Sequence, residues 1–442
     1  MSRRPNILFI VADDLGWADL SVYGQRDYET PHLDRLAAQG VRFTQAYSNS
    51  AVCSATRFAL ITGRYQYRLR GGLEEPIARP GPDIGLPPEH PTLPSLLRAA
   101  GYRTALIGKW HLGMPPRSGP LQSGYEHFFG NLGGVIDYFT HQPRAGADVA
   151  RDLWEDEVPV ERVGYYTQIL ADEATAYLQT LDTARPFFLS LHFTAPHWPW
   201  VGPDDEAVSR SLTDLFHYDG GNLQIYGKMV RSLDAAVGQV LQALEARGLA
   251  DDTIVVFTSD NGGERFSKTW PFTGQKTELL EGGLRVPTLL RWPKRLTPQV
   301  SEQVTITMDW LPTLLGTVGV APHPEYPSDG QDILLALTGA RAPWPRTLFW
   351  RYKAQAQRAV RDGDFKYLKI NDNEFLFDVV QDERERANLR HKHPEVFERL
   401  RRHWEEWSAG FLPITDDVYT HGLTPDVQAD RYAPERPSRL RP

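Results

Sequence analysis

Asn6-Ile7-Leu8-Phe9-Ile10-Val11-Ala12-Asp13-Asp14 is an unbroken apolar run that ends abruptly on two adjacent carboxylates. A continuous β-favouring run, without polar alternation, is the pattern of a strand buried on both faces. The same arrangement recurs three times. Tyr102 to Gly108 leads into Lys109-Trp110-His111, Pro186 to Phe193 into Ala195-Pro196-His197, and Thr253 to Thr258 into Asp260-Asn261. Four polar clusters therefore follow the C-terminal ends of buried-type strands, the edge at which open α/β sheets bind ligands. Helical stretches alternate with the strands at Thr30–Gln39, Thr92–Ala100 and Leu223–Arg247, which predicts a doubly wound α/β sheet. Gly40 and Gly248 stand where helix C-caps are expected.

Proline and glycine become dense between residues 320 and 345, so the chain divides into a large α/β domain over 1–335 and a C-terminal subdomain over 336–442. The second part holds short strand-like runs at Thr347–Arg351, Gln357–Arg361, Phe365–Ile370 and Glu374–Asp378. Asp362-Gly363-Asp364 and Asn371-Asp372-Asn373 suit the hairpin turns between them. A helix over Pro394–Trp407 places Val396, Leu400, Trp404 and Trp407 on one face. A small antiparallel sheet with one packed helix is expected, and the last ~25 residues have the composition of a polar surface arm.

A length of 442 residues suits one large domain plus a smaller one. The net charge of −8 argues against nucleic acid and against an anionic membrane surface as partners. No run approaches the ~18 apolar residues of a membrane span, and Asp13-Asp14 cut the N-terminal run too short for a signal peptide. A cytoplasmic protein is expected, or a periplasmic or secreted one if a leader was removed. Oligomeric state is left open by the sequence.

Asp13, Asp14, Asp260 and Asn261 offer hard oxygen ligands, which suit Ca²⁺ or Mg²⁺ rather than a soft metal. Adjacent aspartates on an extended backbone point to opposite sides, so both reach one ion only if the chain bends at Asp14-Leu15-Gly16. Cys53 is the only cysteine. It cannot form an intrachain disulfide, which leaves packing, nucleophilic chemistry or modification.

The stretch Cys53-Ser54-Ala55-Thr56-Arg57, followed by Thr62-Gly63-Arg64, resembles the type I sulfatase signature, with Ala55 where proline is usual. Asn6 to Gly16, Thr30 to Thr44, Gly108 to Gly113, Gly282 to Pro287, and Leu376-Phe377-Asp378 with Asp382 and Asn388-Leu389 also resemble that family. The branch is the arylsulfatase A and N-acetylgalactosamine sulfatase group. The resemblance implies an alkaline phosphatase-like fold, with a large mixed, mostly parallel sheet sandwiched by helices. It implies oxidation of Cys53 to Cα-formylglycine by a formylglycine-generating maturation enzyme, a step on which Ala55 bears. It further implies a divalent cation, Ca²⁺ or Mg²⁺, held by Asp13, Asp14, Asp260, Asn261 and residue 53.

By the same resemblance Arg57 and Lys109 hold the aldehyde hydrate, and Asp260 accepts the proton of its attacking hydroxyl. His111 deprotonates the second hydroxyl, His197 binds sulfate and protonates the leaving oxygen, and Lys276 binds sulfate. The chemistry agrees, since attack on a sulfate ester needs cations on its oxygens and an acid at the bridging oxygen. Taken singly, Lys109 and Lys276 read as solvated lysines, and His111 and His197 as structural histidines. His192 reads as a core histidine and Glu281–Arg285 as a framework ion pair. Trp17, Trp198, Trp200, Tyr138, His217 and Tyr218 are candidates for stacking on a sugar or aryl group, about half of them expected to be ordinary packing.

The expected activity is hydrolysis of a small sulfate monoester, an aryl sulfate or a terminal sulfated sugar. One alternative is a phosphonate monoester hydrolase or phosphodiesterase of the same superfamily. The other is a metal-binding pseudoenzyme in which Cys53 stays a thiol.

Overall fold

The computed structural model describes residues 4–78, 84–217, 220–415 and 418. Tyr218 and the C-terminal arm, Val418 apart, lie outside the described residues. Strands are β1 (Asn6–Ala12), β2 (Val41–Phe43), β3 (Ala46–Tyr47), β4 (Arg103–Gly108), β5 (His127–Gly130), β6 (Trp154–Glu155), β7 (Val158–Pro159) and β8 (Phe187–His192). They continue with β9 (Thr253–Ser259), β10 (Leu289–Arg291), β11 (Gln299–Ser301), β12 (Thr305–Ile306), β13 (Thr347–Tyr352), β14 (Gln357–Asp362), β15 (Phe365–Ile370) and β16 (Asn373–Asp378). The large sheet runs β11-β2-β10-β9-β1-β8-β4-β5-β6-β7. Its centre, β9-β1-β8-β4-β5, is parallel throughout, and β10 pairs antiparallel with both β9 and β2. Strands β1, β4, β8 and β9, the four that lead into polar clusters, are neighbours in this parallel centre, so all four clusters emerge along one edge.

Burial on both faces explains the unbroken apolar runs. Leu8, Ile10 and Ala12 of β1 pack into one cluster with the helices Pro31–Ala38, Tyr166–Thr180 and Leu223–Ala246. Ile7, Phe9 and Val11 face the other way, towards the helices Cys53–Thr62, Leu93–Ala99 and Trp310–Val318. Each such large side chain contributes about 1.5–3 kcal/mol through burial, so both faces fix the register. Gly248 caps its helix in the left-handed region, at φ 64°. Gly40 acts differently from the expected cap: a Cβ there would lie 2.2 Å from the Leu290 carbonyl oxygen, so β10 demands the glycine by close approach.

The second sheet, β13-β14-β15-β16, is antiparallel throughout. One face packs Leu400 and Trp404 of the helix Pro394–Ser408 against Val360, Tyr367 and Leu376. The other face places Leu348, Trp350, Tyr352 and Leu368 in one cluster with Tyr47, Ala51, Val52 and Ala55. The small sheet thus packs against the segment that starts the Cys53 helix. Among the described residues no helix is long and apolar enough to cross a membrane.

Candidate active site

β1 and β9 deliver the carboxylates side by side. The bend needed to turn both aspartates inward occurs at Asp14 itself, whose φ of 63° lies in the left-handed region that aspartate tolerates. The Asp14 N–H then donates to Asp260 Oδ1 at 3.3 Å. Asn261 Nδ2 donates to Asp14 Oδ1 at 2.7 Å. Cys53 is the first residue of its helix, and the preceding Val52 supplies no side-chain cap. The opening N–H groups are therefore left for another acceptor, which favours an anion at this end.

Three cations interleave with the carboxylates. Arg57 donates through Nε to Asp260 Oδ2 at 3.0 Å, with Nη2 at 2.9 Å from the same oxygen. Lys109 Nζ lies 2.5 Å from Asp13 Oδ2. Lys276 Nζ lies 2.7 Å from Asp14 Oδ2 and 3.3 Å from Glu264 Oε1. Burial works against a charged Lys276, but Asp14 and Glu264 override it and hold the ammonium well above the usual lysine range. Every one of these side chains is buried.

The two histidines are oriented by backbone carbonyls. His111 Nε2 is 2.8 Å from the Ile77 oxygen, so it carries the hydrogen. Its Nδ1 lone pair then faces Cys53 Sγ at 3.4 Å. Burial, followed by Lys109, holds His111 well below the usual imidazole range, leaving it a neutral acceptor. His197 donates through Nδ1 to the Trp198 oxygen at 2.7 Å and turns Nε2 towards Asp14 Oδ2, 3.6 Å away. Burial and Lys276 hold its pKa well down. An anion bound beside it would reverse that balance and favour the protonated ring. Burial pushes the Cys53 thiol up to about 11 despite Lys109 and Lys276, so an unmodified thiol there is a poor nucleophile at neutral pH.

The cluster fits a hard cation. Ligand atoms of Asp13, Asp14 and His197 lie within 4.8 Å of one another, as do those of Asp13, Cys53 and Asp260. Asp13 Oδ1 and Asn261 Oδ1 are buried without a hydrogen-bond partner, two hard acceptors awaiting a positive charge. Burial and then Asp13 raise Asp260 to about 6 against the pull of Arg57 and Lys109. The site holds more negative charge than its own cations neutralise. The oxygen donors Asp13, Asp14, Asp260 and Asn261 are the suitable ligands, with residue 53 completing the set; the His197 nitrogen is a softer donor.

All the catalytic and metal candidates named from the sequence meet in this one cluster. Several neighbours carried no local signal. Glu264, the second partner of Lys276, follows a Gly-Gly turn. Gly134 lies so close to the His111 ring that a Cβ would come within 2.4 Å of Cε1. His192 is indeed buried, yet its Nδ1 lies 3.3 Å from Arg57 Nη1, which also donates to the Lys109 carbonyl at 3.1 Å. The aromatic candidates are mostly packing. Trp17 meets Tyr23 and Phe272 edge-on, Trp200 meets Phe266, and Tyr138 stacks on Tyr165. His217 is buried too, and among the described candidates only Trp198 lies ring against ring with a candidate catalytic residue, His197, tilted at 40° with centroids 4.5 Å apart. Glu281 and Arg285 do form a buried ion pair, at 2.7 Å, extended by Lys366 of β15 at 2.9 Å.

A family model described as Sulfatase matches residues 5–320. N-acetylgalactosamine-6-sulfatase of Canis lupus familiaris is 35% identical over 386 residues, covering 82% of this chain and 71% of that protein. Among solved structures, Ps i-CgsB in complex with k-i-k-neocarrahexaose aligns with a TM-score of 0.83 at 29% identity, covering 93% of this chain and 94% of the other. The phosphonate monoester hydrolase of Agrobacterium radiobacter aligns with a TM-score of 0.66 at 22% identity over 92% of this chain and 96% of its own, a likeness of fold alone.

Proposed function

The chain belongs to the sulfatase family, and from that premise we propose how the residues gathered around position 53 divide the work of a sulfuric ester hydrolase. Oxidised to Cα-formylglycine by a maturation enzyme and hydrated, position 53 supplies the nucleophilic hydroxyl. Asp13, Asp14, Asp260, Asn261 and residue 53 would hold Ca²⁺, or Mg²⁺ in its place, and a cation bound there would supply positive charge to the sulfate oxygens and to that hydroxyl. Asp260, fixed in place by Arg57, accepts the hydroxyl proton. Lys109, with Arg57, holds the aldehyde hydrate, Lys276 binds a sulfate oxygen, and these cations offset the charge that grows there.

His197, protonated beside the bound anion, donates to the bridging oxygen, so the alcohol departs neutral. His111 offers its Nδ1 lone pair to position 53 and takes the proton whose removal releases sulfate. Every one of these residues precedes residue 336, so in this reading residues 1–335 carry the chemistry and 336–442 support it. The substrate is a small sulfate monoester; the N-acetylgalactosamine-6-sulfatase relative favours a sulfated sugar. A cytoplasmic location stays part of the proposal, since a chain with one cysteine needs no oxidising compartment to fold.

The observation that carries this reading is the 3.4 Å approach of His111 Nδ1 to Cys53 Sγ inside a cation-sized carboxylate cluster. Two measurements test it. Mass spectrometry of the peptide spanning Cys53, from the native host, should show the aldehyde; unmodified thiol throughout would mean a pseudoenzyme. Paired aryl sulfate and aryl phosphonate should give the higher kcat/KM with sulfate, and the reverse order would make it a phosphonate hydrolase.

A further inference from the structure

Tyr138 packs through its ring, but its hydroxyl reaches the active site. The side chain is fully buried, and the hydroxyl donates to the His197 backbone carbonyl at 2.8 Å. Tyr165 lies nearly parallel to it, at 17° with centroids 5.1 Å apart, and donates to the Val201 carbonyl at 3.0 Å. Two stacked phenols thus pin both ends of residues 197–201, the segment that follows β8 and begins with the candidate acid.

That segment has few backbone bonds of its own. Pro196 and Pro199 have no N–H to donate. Among the described residues, the His197 N–H donates to the Thr194 carbonyl at 2.9 Å and the Val201 N–H to the Pro199 carbonyl at 3.0 Å. One bond from outside, the Asp13 N–H to the Ala195 carbonyl at 3.2 Å, holds the stretch just before it. The imidazole follows this backbone closely. Nδ1 is tied to the carbonyl of the next residue, Trp198, at 2.7 Å, and Nε2 projects towards Asp14. A displaced backbone therefore displaces the proton-donating nitrogen.

Tyr138, by contrast, is firmly held in the loop that follows β5. Its carbonyl accepts from the Tyr166 N–H at 2.8 Å, at the start of the helix Tyr166–Thr180. Beside it, Asp137 Oδ1 accepts from the Phe139 and Thr140 N–H groups at 2.9 and 2.7 Å and from Ser209 Oγ at 2.6 Å. Earlier in the loop, Asp152 accepts from the Leu132 and Gly133 N–H groups at 3.1 and 2.7 Å. A rigid brace meets a sparsely bonded segment, which is the support a precisely aimed group needs.

We infer that Tyr138 is a positioning residue for His197. Its hydroxyl holds the backbone of the acid so that Nε2 delivers its proton to the bridging oxygen as the S–O bond breaks. The inference rests on the sulfatase reading above, in which His197 is the acid. The expected effect is confined to substrates that need the proton, because a good leaving group departs without one.

The test compares kcat/KM on phenyl sulfate, a poor leaving group, with kcat/KM on 4-nitrophenyl sulfate, a good one. Both values report the steps up to ester cleavage, and their ratio within one preparation cancels unfolded or unconverted enzyme. Tyr138→Phe should lower kcat/KM on phenyl sulfate about tenfold more than on 4-nitrophenyl sulfate. His197→Ala should widen the same gap further. Adding Tyr138→Phe to His197→Ala should then change the gap no more. Tyr102→Phe is the control, since its buried hydroxyl makes a comparable bond to the Pro5 carbonyl at 2.8 Å, at the far end of β4. Its gap should match wild type. Equal losses on both substrates in Tyr138→Phe, or none, overturn the inference. So does a gap that Tyr102→Phe widens as much, or that Tyr138→Phe widens again without His197. Should His197→Ala leave the gap as in wild type, the acid role in the sulfatase reading falls and the inference with it. A wild type that prefers aryl phosphonate overturns that reading as a whole.

Discussion

Two charge-rich clusters are sealed inside this chain, and they are finished to different degrees. Around Glu281 both carboxylate oxygens have their donors. Oε1 meets Lys366 at 2.9 Å, while Oε2 meets Tyr47 at 2.6 Å and Arg285 at 2.7 Å, and the backbone N–H donates to Glu385 at 2.7 Å. Around Asp13 the same fold leaves Asp13 Oδ1 and Asn261 Oδ1 bare. Burial costs both clusters heavily. The first offsets the cost internally and joins the small sheet, through Lys366, to the Glu281–Leu284 helical turn and to Tyr47 of β3. The second stays unbalanced, as a seat for something that is not protein must. Between these two clusters, the bare Asp13 and Asn261 oxygens mark the one built for chemistry, and the fully paired Glu281 carboxylate marks the one built as architecture.

The largest effect expected from breaking this contrast is at position 53. Cys53→Ala should lower turnover of an aryl sulfate by roughly ten-thousandfold or more while leaving the circular dichroism spectrum intact. Appreciable residual rate would detach the cluster from catalysis. Next, chelation should reduce turnover by about 10²–10³-fold and lower the Tm, with Ca²⁺ restoring both. Asp13→Asn should resist rescue at the same Ca²⁺ concentration, and an enzyme indifferent to chelators would show that the bare oxygens are not a cation seat.

The Glu281 cluster should answer in stability. Lys366→Met strands buried carboxylates and should cost about 3–5 kcal/mol in urea titrations. A loss below ~1 kcal/mol would mean that the network is not the joint it looks like. The pH dependence follows from sign. Burial would raise Glu281, but Lys366 and Arg285 outweigh it and hold the carboxyl down at about 2, against an ordinary 4.5. Stability from a depressed carboxyl is present above 4.5 and is lost as pH falls towards 2. The gap between wild type and Lys366→Met should therefore narrow as pH is lowered below 4.5, and a gap that widens there would contradict the assignment. The smallest effect sharpens the active cluster: His192→Ala should lower kcat about tenfold through a loosened Arg57. His192→Asn, which keeps an acceptor near the Nδ1 position, should recover part of the loss, and equal losses in both variants would reduce His192 to packing.

The strands leading into Asp13, Lys109, His197 and Asp260 were readable in advance because burial on both faces writes an unbroken apolar run into a short local stretch. The small sheet was readable for a similar reason, since Asp362-Gly363-Asp364 and Asn371-Asp372 announce their own turns. Harder to foresee were features made by distant approach. Gly40 resembled a helix cap but answers to β10, which arrives about 250 residues later. Trp17, Trp200 and Tyr138 stood among the stacking candidates because nothing local distinguishes a ring that will be covered from one that will stay open.

The central position of β1 has a consequence for how the chain is made. Asn6–Ala12 is synthesised well before its two neighbours, Phe187–His192 and Thr253–Ser259, leave the ribosome. Until then a seven-residue apolar segment has no edge to dock on, a window of exposure in which nascent chains aggregate. Production of this protein should accordingly be limited by chaperone capacity during translation, well before its finished stability matters.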